Sequence, residues 1–372
     1  MRHQVHELIA PVPGTARQIH SFHFGPEQAE GKVYIQSSLH ADELPGMLVA
    51  WHLKARLAEL AAAGRLLSEV VLVPIANPVG LEQTLMHDAM GRFDFNSGEN
   101  FNRRYPDLAA LISDGLEARL GQDAEQNQRL IRQAMGQALQ QWPVTSELDS
   151  LRRAQLLLAH DADVVLDLHC DAQAVLHLYA ETPYWPQIEP LARYLGVHAS
   201  LLASGTGAGS FDEACGQPWW RLAERFGEHF PIPLGCASVT LELRGEADVE
   251  HGLAQSDAGQ LFAYLQHLGV VDGVAPAMPA LQHPATPFAG SLTLRAPCAG
   301  LVVFLHKPGA WISHGDPVVE LIDPLSGGTQ VVRSSTCGVM YMRSAIRFAA
   351  PGVELCKIAG AAPLPEGVQV SA

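Results

Sequence analysis

Short apolar runs rich in β-branched residues, separated by stretches of helical period, constrain this chain more than any other feature. Val33 to Leu39, Val70 to Ile75, Val164 to Leu168, Val175 to Tyr179 and Val239 to Leu243 read as buried strands. Between them, Leu48 to Ala63 predicts a helix ended by Gly64. Leu130, Ile131, Ala134, Met135, Ala138, Leu139 and Trp142 form a second helical stripe, stopped by Pro143. Strands alternating with helices form a sheet covered on both faces. The expected architecture is therefore α/β, a mixed sheet flanked by helices, and a chain of 372 residues with 48% hydrophobic content can bury the core it needs.

From Val271 to Pro287 the composition shifts to Pro, Ala and Gly, which predicts a linker. Beyond it the helical period gives way to short strands. Arg295 to Gly300 (RAPCAG) recurs as Arg333 to Gly338 (RSSTCG), and each copy runs on into a strand. Two related halves imply a small β-barrel or a flattened sandwich. The expected organisation is a catalytic α/β domain over 1–285 and an all-β, barrel-like domain over 286–372. This tail resembles the biotinyl/lipoyl carrier fold in its AP-x-x-G opening and later G-D-x-V turn. The hairpin joining the halves, Asp323 to Gln330, has no lysine, so a carrier function is not expected. Lys307 and Lys357 read as solvated surface charges.

The net charge of −15 disfavours nucleic acid and anionic membrane surfaces as partners. Six scattered cysteines without a CxxC pair give neither a disulfide framework nor a cysteine metal site. No stretch reaches the roughly 18 uninterrupted apolar residues of a membrane span, and the N-terminus lacks a signal-peptide core. A cytoplasmic protein is expected.

Four segments place polar groups where the pattern predicts turns or apolar residues. In SSLHADELPG, His40 and Glu43 follow a strand and precede a helix, at the carboxyl end where open α/β sheets bind ligands. An imidazole and a carboxylate suit Zn²⁺, whose catalytic sites use three protein ligands and keep a position open. Asp42 reads as the helix cap. In DVVLDLHC, alternation puts Asp167 and His169 on one face of a strand and aims Cys170 away. Asp167 either orients the histidine or is a simple strand-end carboxylate.

In GRFDFNSGENFNRRYPD, Asn102 and Arg103 are suited to holding a carboxylate, and Arg92 to polarising a carbonyl oxygen. In VTLELRG, Thr240, Glu242 and Arg244 project to one side of a strand that should be apolar if fully covered. Either general-base work on an activated water accounts for Glu242, or the strand lies at an edge with an ordinary polar face. Arg244 is grouped with the substrate-binding residues. The glycines of GTGAG (Gly205, Gly207, Gly209) lack nucleotide-loop register and read as a mobile surface loop.

His40-x-x-Glu43, Asn102-Arg103, Asp167-Leu168-His169 and Glu242 in T-L-E-L occur in an order that resembles the zinc carboxypeptidase superfamily. The SLHADELPG form is similar to its succinylglutamate desuccinylase and aspartoacylase branch, over residues of roughly 30 to 270. The resemblance implies one zinc per chain bound by His40, Glu43 and His169, with Glu242 as general base. It further implies that Arg92 stabilises the oxyanion and that Asn102 with Arg103 holds a substrate carboxylate. A β-rich C-terminal domain restricting the cleft is also expected from it, and the helical segment from about Ala109 to Trp142 looks like an insertion.

The expected function is deacylation of a small N-acyl amino acid or amine. A carboxypeptidase acting on peptides is the nearest alternative, and a non-catalytic metal- or ligand-binding protein the alternative outside enzymes. A small-molecule N-acyl compound is the expected partner, and self-association into a homo-oligomer stays open.

Overall fold

The computed structural model describes residues 1–27 and 29–363. Residues 364–372 of the expected C-terminal domain lie outside the described residues. One nine-stranded sheet organises the first part of the chain. Its strands are β1 (Arg2–Glu7), β2 (Gln18–Phe24), β3 (Lys32–Ser37), β4 (Glu69–Val73), β5 (Val164–Asp171), β6 (His177–Glu181), β7 (Ala199–Ala203), β8 (Ala237–Gly245) and β9 (Thr286–Pro287). They lie in the order β1-β2-β4-β3-β5-β8-β6-β7-β9. The run β4-β3-β5-β8 is parallel, whereas β2 and β6 are antiparallel to β4 and β8. The sheet is mixed, as expected.

Among the described residues, six helices of more than ten residues pack around it: α1 (Pro45–Ala62), α2 (Ala124–Gln141), α3 (Glu147–Ala159), α4 (Trp185–Leu195), α5 (Phe211–Phe226) and α6 (His251–His267). Alternation along the central strands gives the sheet two unlike faces. Ile35, Leu166, Leu168, Val239 and Leu241 point to one face and share a core with Leu53 and Leu57 of α1 and Leu261 and Leu265 of α6. On the other face Tyr34 and Val165 pack with Phe211 and Trp219 of α5. Nearer the carboxyl ends this second face turns polar, with Asp167, His169 and Glu242. That change of character opens the cleft.

Helices α2 and α3 begin on Asp123 and Ser146, whose side chains accept from the Gln126 and Asp149 N–H groups. Asp42 does not cap α1: the N-cap position belongs to Leu44, which makes no side-chain cap bond, and Pro45 opens the first turn, where a missing N–H costs nothing.

The C-terminal strands form two sheets. One contains Ser291–Arg295, Glu354–Gly360, Gly338–Arg343 and Trp311–Ile312, and the other Thr329–Arg333, Pro317–Ile322, Gly300–Phe304 and Phe348–Ala349. They share a core that includes Leu294, Val302, Val318, Met340 and Ile358. Of the two expected forms, the pairing gives the flattened sandwich, because the strands form two sheets rather than one. Both repeat copies open the same way: Arg295 and Arg333 end strands, and Gly300 and Gly338 begin the next ones.

The two parts are joined by backbone as well as by packing. Strand β9 extends the main sheet beside β7. Gln173–Ala174 pairs with Met342–Arg343 of the sandwich, and Ala199 and Leu201 share a core with Tyr341 and Met342.

Candidate active site

Strand β3 ends at Ser37, and Ser38 turns the chain with φ of 63°, a left-handed conformation rare outside glycine. The turn buries Leu39 and brings His40 and Glu43 over the sheet. His40 Nδ1 lies 2.8 Å from Glu43 Oε1, and His169 Nδ1 lies 2.7 Å from Glu43 Oε2. All three residues are buried, with one ligand atom of each within 4.8 Å of the others. The Cys170 backbone N–H also donates to Glu43 Oε2 (3.1 Å). The Cys170 thiol itself is buried, as expected.

The outer nitrogens fix the rings. His40 Nε2 contacts Asn100 Oδ1 at 2.9 Å, and that oxygen also accepts the Asn102 backbone N–H at 2.8 Å, so it is an acceptor and the proton sits on Nε2. His40 Nδ1 therefore presents a lone pair, which Arg92 contacts at 3.0 Å while donating to Glu43 Oε1 at 2.8 Å. His169 Nε2 contacts Asp167 Oδ2 at 2.9 Å, and Asp167 Oδ1 accepts from Gln36 (2.9 Å), which accepts from Tyr34 (2.8 Å). Asp167 thus orients the histidine.

These contacts test whether the residues fit a metal ion. Burial lowers the His40 pKa, so the ring favours its neutral, ligating form. Burial also acts against a charged His169, but Asp167 and Glu43 outweigh it and raise the imidazole well above its ordinary value. Against its own desolvation, Glu43 is held well below the usual carboxylate range by the two imidazoles. Two ring nitrogens and a carboxylate converge on a point that attracts positive charge, with both outer nitrogens already anchored. The set fits a divalent cation.

Parallel register sets Glu242 of β8 beside His169 of β5. Its Oε2 is buried and has no hydrogen-bond partner among the described residues. Burial above all, with Glu43 adding to it, pushes this carboxyl up to about 8. A cation nearby acts in the opposite direction.

The cleft is lined by His40, Arg92, Asn102, Arg103, His169 and Glu242, so it gathers these residues from the sequence-predicted set. Asn102 Oδ1 accepts the Phe211 N–H at 2.8 Å, which leaves its NH₂ for a ligand, and among the described residues the Arg103 side chain bonds only to the Asn102 carbonyl (2.7 Å). Arg244 is the exception. A bulge after Glu242 breaks the alternation, Arg244 takes φ of 65°, and its guanidinium forms a bidentate pair with Asp257 of α6 at 2.7 Å. It braces a helix and does not line the cleft.

Two further readings change. Lys357 is not a solvated charge: its side chain is 15% exposed and lines the cleft from the sandwich. The GTGAG loop also lines the cleft, and Glu213 holds it by accepting from Thr206 Oγ1 (2.7 Å) and the Gly209 N–H (3.0 Å). Asn100 was missed as well, although it stands in the same NFNRR run as Asn102 and Arg103.

Residues 29–268 match the succinylglutamate desuccinylase/aspartoacylase catalytic domain. The chain belongs to the succinylglutamate desuccinylase/aspartoacylase family. Two solved members of the succinylglutamate desuccinylase/aspartoacylase family resemble it along nearly their whole length. One, from Shewanella amazonensis SB2B, is 27% identical with a TM-score of 0.84, over 96% of this chain and 98% of that one. The other, from Shewanella frigidimarina NCIMB 400, is 26% identical with a TM-score of 0.86, over 96% and 97%. The ectoine utilization protein EutE (DoeB) of Ruegeria pomeroyi shares the fold at 15% identity and a TM-score of 0.66, over 96% and 94%. No curated protein matches the sequence.

Membership in the desuccinylase/aspartoacylase family makes this chain a hydrolase by type. Within the family domain, α3 supports the loop that carries part of the site. Buried Arg152 of α3 reaches Glu99 with both terminal nitrogens (3.1 Å) and the Asn100 carbonyl (3.3 Å), pinning the loop that carries Asn100 to Arg103. Among the described residues no helix is long and apolar enough to cross a membrane.

Proposed function

We propose that the chain is a metal-dependent deacylase that hydrolyses the amide of a small N-acyl amino acid or N-acyl amine. One Zn²⁺ per chain would be held by His40, Glu43 and His169. The single observation that carries this reading is the placement of a buried, unpaired Glu242 Oε2 beside a three-residue ligand set. A zinc ion there supplies Lewis acidity, polarising the amide carbonyl and making water a competent nucleophile near neutral pH.

Glu242 receives the proton of the attacking water at Oε2 and returns it to the departing nitrogen, so that acid and amine leave as the C–N bond breaks. Arg92, at the cleft mouth, donates to the negative charge growing on the carbonyl oxygen. Arg103 and the Asn102 NH₂ hold a substrate carboxylate, the guanidinium offering a planar fork. The cleft encloses about 170 Å³, smaller than the roughly 300–1,000 Å³ of drug-sized sites. That size favours an acyl amino acid over a peptide.

The test combines metal analysis with a hydrolysis screen over N-acyl amino acids and amines, with peptides as controls. Stoichiometric zinc and turnover of a small N-acyl compound are expected. Full metal occupancy with no amide cleaved would favour a binding protein, and cleavage of C-terminally free peptides alone would favour a carboxypeptidase.

A further inference from the structure

Outside the cleft the chain leaves an apolar face uncovered. A groove of about 690 Å³ runs between β2, α1 and the turn after β4, lined by Phe22, Met47, Trp51, Ile75 and Leu81. Trp51 is 59% exposed, and Ile75 and Leu81 are exposed as well. Contiguous apolar surface of this kind marks a binding face, whereas a lone exposed leucine does not.

Just after Leu81 and Glu82 the chain projects an arm. Thr84–Leu85 pairs with Asp88–Ala89 in a tight hairpin, and Leu85 and Met86 are 54% and 87% exposed. Both central residues of its turn are left-handed, with φ of 52° at Met86 and 73° at His87. Such turns normally hold Asn-Gly, because a bulky side chain at positive φ is strained. The stem is fixed. Buried Gln83 donates to the Met90 and Phe93 carbonyls (2.8 and 2.6 Å) and accepts the Phe95 N–H (2.8 Å). A Cβ on Gly91 would stand 2.3 Å from the Asp42 nitrogen, so the chain leaving the arm is clamped too. A rigid stem thus carries a large apolar residue outward, against its local backbone preference.

Charge indicates what the groove takes. Lys54 lines it with its ammonium 3.2 Å over the Phe22 ring, and Asp88 stands exposed beside the arm's tip. Among the described residues neither makes an ion pair. Glu82 at the rim is already paired with Arg17 (2.5 Å). Arm and groove are therefore complementary in two ways, apolar to apolar and Asp88 to Lys54, and Leu81 of the groove wall leads within three residues into the arm. An isologous pair needs that arrangement, one patch that complements itself about a twofold axis.

We propose that this face pairs with a second copy of the chain, the arm of each protomer seating Met86 in its partner's groove and Asp88 beside the partner's Lys54. Sedimentation velocity of the full-length protein across the micromolar range is expected to show a dimer. Met86→Asp should weaken it about 30-fold or more, the scale of an interface hot spot. Lys54→Glu and Asp88→Lys should each weaken it about 10-fold, and the two together should recover most of the loss, since the pair re-forms with its signs exchanged. Circular dichroism of each variant checks that the fold is kept. A wild-type monomer at every concentration overturns the proposal whatever the variants do, and leaves the groove to a different protein. A dimer indifferent to Met86→Asp, or a charge-swapped double variant no stronger than either single one, overturns it as well.

Discussion

A carboxylate that carries a proton between water and an amine must hold it and release it within one turnover. In the proposed mechanism, burial beside Glu43 favours the protonated form of Glu242 and the charge at His169 favours its release. Glu242→Gln should therefore retain zinc and lose about 10²- to 10⁴-fold in kcat. Parallel metal analysis and turnover measurements check this, and near-wild-type turnover would remove Glu242 from the mechanism. Glu181, buried at the end of β6, makes a second prediction at this scale, through stability. Burial pushes its folded pKa up to about 8, above the ordinary glutamate value near 4.3. Between those values the unfolded chain has released its proton and the folded chain retains it, so the residue's contribution falls as pH rises and levels off above about 8. Thermal midpoints should drop less for Glu181→Gln than for the wild type between about pH 5 and about pH 8. Parallel curves would show that Glu181 is not shifted.

The strands that carry chemistry were legible because β3, β5 and β8 lie at the middle of the sheet, where burial forces apolar runs and a polar residue stands out. Edge strands were not: β1 reads RHQVHE, with no buried residue, and carries no apolar signal. Strand alternation placed Asp167, His169 and Glu242 on one face but failed at Arg244, because a bulge obeys local backbone geometry that residue type does not announce. Lys357 was out of reach for another reason: its place in the cleft wall depends on how the sandwich meets the main sheet, which residue type does not announce. Helix α2 shows a further limit of periodicity, which found its apolar stripe but not its purpose. Arg152→Ala should loosen the Asn100–Arg103 loop, raising KM and costing about 1–3 kcal/mol, the range for leaving a buried partner unsatisfied. Steady-state kinetics with denaturant unfolding would check it, and an unchanged KM would show that the loop is held by other contacts.

Across the whole molecule, cleft and sandwich depend on one another. Lys357 and Phe288 reach the cleft from beyond the main catalytic chain. Tyr341 is fully buried where the parts meet, packs with Ala199 and Leu201, and shares a hydrogen bond with Ser291 (2.7 Å). Tyr341→Ala should cost about 3–5 kcal/mol, as for other large buried aromatics, and should lower activity together with stability. Unfolding in a single denaturant transition is expected. Two separated transitions with activity retained through the first would show that the sandwich melts independently.

The strand formed by Thr286–Pro287 and the pairing of Gln173–Ala174 with Met342–Arg343 bear on how such chains can be recombined. A chimera cut at the composition shift near residue 285 would splice through a hydrogen-bonded seam. Swapping tails between relatives should succeed only when the donor brings matching register on both sides of that seam.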